Sequence, residues 1–110
     1  MNNAFLDEQA IYFLKLSVMI SNGVPLLTAL SNLEKETKNR PLKQATGKII
    51  QGFKRNRGAT LAGLMSQSPD CFDRKVTKMI GVGETTSTLD LICRILPEHF
   101  MFQRLDDWKK

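Results

Sequence analysis

Glycine and proline recur at short, regular intervals, and the stretches they bound have the period of a helix. The breaks fall at Asn22-Gly23, Asn39-Arg40-Pro41, Asn56-Arg57-Gly58, Ser68-Pro69 and Gly81-Val82-Gly83. Between them apolar residues return at steps of three and four, as on a helix that buries one face. No segment alternates apolar and polar residues strictly, and β-branched clusters are short, so strand signals are weak. Six such segments with short Gly/Pro-punctuated connections predict an all-α six-helix bundle. At 110 residues the chain holds one compact domain and is too short for two ordinary ones. The whole of 1–110 is therefore read as a single domain, with its core over about 6–105.

The first segment, Leu6 to Ser21, repeats Ile11, Leu14 and Val18, while Tyr12, Leu16, Met19 and Ile20 cover a second face. A helix apolar nearly all round is expected at the centre of the bundle. Asn22-Gly23 supplies a left-handed stop. Pro25 suits the first position of the second helix and Pro41 opens the third in the same manner, because the missing N–H is an orphan there anyway. The stripes are Leu26, Leu27, Leu30 and Leu33, then Leu42, Ala45, Ile49 and Phe53. Thr60 and Asp73 are placed to start the fourth and fifth helices, and Pro69 lies between them. Gly58 and Gly83 are read as helix ends where glycine tolerates positive φ. Ser87-Thr88-Leu89-Asp90 has capping-box spacing, with the Ser87 hydroxyl facing the Asp90 N–H. Pro97 inside the sixth helix predicts a kink, or a break near Leu96.

Composition removes several classes of function. No apolar run approaches the roughly 18 residues that span a bilayer, and Met1 to Asp7 has no basic leader region. Two cysteines, Cys71 and Cys93, make no disulfide framework and cannot complete a zinc site even with His99, the one histidine. No nucleophile elbow, HExxH or Walker loop is present, so neither an enzyme nor a cofactor-binding or metal-binding protein is expected. His99 reads as a surface or helix-flank histidine. Aromatic residues are 7% of the chain, which argues against a base-stacking surface. A small basic nucleic-acid-binding helical protein remains the alternative, since the net charge is +5.

The charge is unevenly spread. Lys35, Lys38, Arg40, Lys43, Lys48, Lys54, Arg55 and Arg57 are half of all the basic residues, opposed only by Glu34 and Glu36. The run is either a surface for an acidic protein partner or anionic lipid heads, or a solvated face that keeps the domain soluble. Lys43, Lys48, Lys54, Arg55 and Arg57 are the candidate contacts. The turn holding Glu84 and Asp90 is a second candidate. Two carboxylates could offer oxygens to a hard cation, or Asp90 could cap a helix while Glu84 takes backbone N–H groups.

Three stretches together resemble the cytoplasmic domain of the type II secretion F family, the inner-membrane platform proteins of type II secretion systems and type IV pilus assembly machines. The first is Phe13 to Leu30, with its Asn22-Gly23 turn and Pro25-led second helix. The second is Gly58-Ala59-Thr60-Leu61-Ala62-Gly63-Leu64 followed by Pro69 and Phe72. The third is Met79-Ile80-Gly81-Val82-Gly83-Glu84-Thr85-Thr86-Ser87-Thr88-Leu89-Asp90, similar to a signature in which Gly-Glu precedes a small polar residue, a glycine and Leu-Asp. Ser87 stands where that family usually has glycine, so the turn is expected to differ. Pro97 interrupts a helix that the family usually runs unbroken.

The resemblance implies a six-helix module without catalytic groups. It implies docking to the machine's assembly ATPase and other inner-membrane components, self-association, and a parent chain that continues into transmembrane helices. It further implies a place on the cytoplasmic face of the bacterial inner membrane. Trp108-Lys109-Lys110 is the kind of sequence expected before a membrane span.

Overall fold

Four of the five breaks become helix boundaries. The computed structural model describes the backbone of residues 3–109 and the side chains of residues 5–103. Its helices are α1 (Asn3–Ser21), α2 (Leu26–Glu36), α3 (Arg40–Arg55), α4 (Leu61–Met65), α5 (Arg74–Thr86) and α6 (Leu89–Lys109). No strand occurs among the described residues. The caps explain most of the starts. Asn39 Oδ1 accepts from Leu42 N at 3.0 Å, Thr60 Oγ1 from Gly63 N at 3.0 Å, and Asp73 Oδ1 from Val76 N at 2.9 Å. Pro25 stands one place earlier than expected, as the N-cap of α2, its carbonyl accepting from Ala29 N. Pro69 lies in the turn between α4 and α5.

Each helix packs on its neighbour in sequence, and α6 returns to lie along α1, so the six close into a ring. Phe13, Phe72 and Phe100 fill the middle, with Phe13 and Phe100 stacked at 5.9 Å and Phe13 and Phe72 edge-on at 6.1 Å. Buried polar groups cross the core in pairs. The Thr46 hydroxyl donates to Leu42 O at 2.8 Å and so accepts from Tyr12 O–H at 2.9 Å, tying α1 to α3. Gln9 Nε2 donates to Cys71 O, tying α1 to the turn before α5.

Four expectations are corrected. On α1 the buried apolar residues are Leu6, Tyr12, Phe13 and Leu16, while Ile11, Leu14 and Val18 are 51%, 48% and 53% exposed. The helix therefore has two apolar faces, of which the aromatic one is buried. Gly83 does not end a helix. It lies buried inside α5, where a Cβ would stand 2.9 Å from Ile92 Cγ1 and 3.0 Å from Leu89 Cα. Its small size lets α6 approach. Of the glycines, Gly23 has positive φ, at +82°, and Gly58 does not. Gly58 sits in a turn whose N–H donates to Asn56 Oδ1 at 2.9 Å.

Lastly, Ser87 forms no capping box. It is the C-cap of α5 in the left-handed region (φ 59°, ψ 35°), and Thr88 N donates to Gly83 O at 2.8 Å, closing the helix end. A serine here carries a backbone that glycine adopts without steric cost. Asp90 falls in the first turn of α6, where a carboxylate meets the positive end of the helix dipole. α6 passes through Pro97 without a break.

Candidate protein-docking surface

The outer face of α3 is the main concentration of charge. Helical period turns Leu42, Ala45, Thr46, Ile49 and Ile50 inward, and the residues between them outward. An open groove of about 910 Å³ results, lined by Arg40, Lys43, Lys48 and Arg55 together with Gln51, Gln67 and one carboxylate, that of Glu34. Gly47 and Gly52 also line it, without side chains to fill it. Gly47 faces Glu34, whose Oε2 would stand 2.6 Å from a Cβ at that position. Lys43 Nζ donates to Glu34 O at 2.7 Å and so serves the C-terminal end of α2. None of Arg40, Lys43, Lys48 and Arg55 has a carboxylate within 4 Å among the described residues. Unneutralised cations in a concave surface raise the local concentration of anionic groups.

Of the expected contacts, the structure brings Lys43, Lys48 and Arg55 into this groove. Lys54 and Arg57 are exposed at the end of α3 but do not line it. Arg40, Gln51 and Gln67 join it unexpectedly. The first two follow once α3 is wound at 3.6 residues per turn, since 40, 44, 48, 51 and 55 share a face. Gln67 comes from beyond α4, and no local pattern points to it.

Glu84 lies elsewhere and does a different job. Its carboxylate accepts from Leu61 N at 2.6 Å and from Ala62 N at 2.9 Å. With Thr60 on Gly63 N, the first three N–H groups of α4 are all satisfied. The bonds run from α5 across 23 and 22 residues of sequence. They hold α4 where Leu64 crosses Gly52 of α3, so close that a Cβ there would clash with it. Glu84 therefore positions the element that carries Gln67 to the groove. No group of three or more metal-binding side chains occurs among the described residues.

Neither thiol is set up as a nucleophile. Burial, with the Asp90 charge adding to it, pushes Cys93 up to about 12. Burial and then Asp70 raise Cys71. His99 flanks the bundle, its Nε2 3.9 Å from Asp73 Oδ2 and its ring edge-on to Phe100.

The model of the family described as type II secretion system (T2SS), protein F, matches residues 12–110. The chain belongs to this family. It is also 34% identical over 89 residues to a protein of Myxococcus xanthus (strain DK1622) named type IV pilus assembly protein PilC. That match covers 77% of this chain and 20% of the relative, so the chain spans about a fifth of that protein's length. The stretch from Met79 to Asp90 is the end of α5, its left-handed Ser87 cap and the first turn of α6. It contains the close approach at Gly83 and the carboxylate of Glu84. No described helix is long and apolar enough to cross a membrane. The side chains of Trp108, Lys109 and Lys110 lie outside the described residues.

Proposed function

We propose that this domain is the docking module of an inner-membrane platform protein that serves type IV pilus assembly or type II secretion. It sits at the cytoplasmic face and binds the machine's assembly ATPase and its membrane-anchored components, in an assembly with further copies of itself. The parent chain supplies the transmembrane segments. The observation that carries this reading is a groove lined by four cations of α3, none with a carboxylate within 4 Å among the described residues, in a chain of the protein F family. Rigid helices closed into a ring suit such a module, because motion of a bound ATPase would be passed on rather than absorbed. Glu84 supports the surface from behind by holding α4, and Lys54 and Arg57 extend it past the end of α3.

Charge reversal tests it. The double variant Lys48→Glu, Arg55→Glu changes two exposed side chains and leaves the core untouched. Its affinity for the assembly ATPase of the same machine is expected to fall at least about tenfold, with wild-type binding weakening as salt rises. Equal affinity of variant and wild type would remove the groove from the interface. Tight, steeply salt-dependent binding to labelled duplex DNA, lost in the same variant, would favour a nucleic-acid partner instead.

A further inference from the structure

The exposed apolar stripe of α1 borders a second groove, on the other side of α2. Leu14, Val18 and Met19 give it an apolar wall, and Lys15, Lys35 and Glu36 line its edge. The groove holds about 570 Å³ and is open to solvent. Ile11 continues the stripe into a neighbouring recess shared with Glu8 and Lys38. Ile11, Leu14 and Val18 stand at i, i+3 and i+7, each about half exposed. That is the spacing with which one amphipathic helix receives another.

The charges around the stripe are mixed. Lys15 is paired with Glu36 at 3.7 Å, whereas Lys35 and Lys38 have no ion pair among the described residues. In the recess beyond, Glu8 Oε2 is shut off from solvent without a hydrogen-bond partner. A flat anionic membrane would satisfy the lysines and repel Glu8 and Glu36. A concave apolar wall with cations on one edge and an unused carboxylate oxygen at the end suits a discrete ligand with complementary charges.

We infer that the α1–α2 groove receives an amphipathic helix of another protein, whose apolar stripe lies on Ile11, Leu14 and Val18 and whose acidic flank meets Lys35 and Lys38. This site is separate from the α3 groove and stands whether or not the ATPase binds there.

The test is site-specific photo-crosslinking in cells that make the native protein, with the photoreactive residue at Val18. The crosslinked peptide is expected to be a helical segment of a different protein, with apolar residues at steps of three and four and a carboxylate beside them. Lys35→Glu is expected to lower the crosslink at least about fivefold, and a lysine in place of the partner's carboxylate to restore it. No crosslink overturns the inference. So does a crosslink to lipid, to a second copy of this chain, or to a peptide whose yield ignores the charge at position 35. Circular dichroism of Lys35→Glu separates loss of contact from loss of fold.

Discussion

Glu84→Ala is expected to destabilise the domain by about 2–3 kcal/mol, below the full worth of two charge-assisted hydrogen bonds because both donors are only part-buried and water can reach them. The carboxylate takes the N–H groups of Leu61 and Ala62. Without it, both donors at the start of α4 lose their partner. A five-residue helix has too few internal bonds to persist on its own. The loss therefore spreads to Leu61 and Met65, which are fully buried in the core. Glu84→Gln keeps one acceptor oxygen, and its effect is expected to fall between alanine and wild type. Urea unfolding measures the change. Hydrogen exchange at Leu61 and Ala62 should accelerate more than exchange in α1. A loss under about 0.5 kcal/mol for the alanine variant would mean that water replaces the carboxylate and that α4 is held by packing alone.

Two glycines two residues apart in α5 should respond to alanine with opposite signs. Helix propensity alone favours alanine at both by up to about 1 kcal/mol. At Gly81 a Cβ would meet Ala62 Cβ at 3.6 Å, ordinary contact, so Gly81→Ala should stabilise. At Gly83 the same Cβ would lie 3.0 Å from Leu89 Cα, which is backbone and cannot rotate away. α6 must shift, and Gly83→Ala should lose about 1–3 kcal/mol despite the better propensity. Thermal unfolding of the two variants side by side provides the comparison. A stabilised Gly83→Ala would show that α5 and α6 can separate at no cost.

These cases also mark how far the chain could be read before its structure. The number of helices, their order and the caps at Thr60 and Asp73 follow from local chemistry, and local chemistry is written in adjacent residues. Gly83 looks like punctuation because a glycine near a turn usually is. Its real role depends on Leu89 and Ile92 of the next helix, which no spacing reveals. The two apolar faces of α1 predict a helix buried on both sides, and the structure buries one. Ile11, Leu14 and Val18 repeat as regularly as Tyr12, Phe13 and Leu16, and periodicity cannot choose between two apolar faces. The choice was made by aromatic packing against Phe72 and Phe100 and by the hydroxyl of Thr46. The basic surface was half legible. Lys48 and Arg55 fall on one face of α3 by period, whereas Lys43 stands further round toward α2 and Gln67 reaches the groove from beyond α4. The sequence around Glu84 fits either a cation ligand or an acceptor for backbone N–H groups. Which helix owned those groups depended on tertiary structure.

We propose that the α3 groove is where the machine's ATPase meets this domain. Hydrogen exchange of the domain, with and without that ATPase, tests it most directly. Protection is expected along the exposed turns of α3 and around Gln67, with α5 unchanged. Protection absent from α3, or confined to α5 and α6, would contradict the claim.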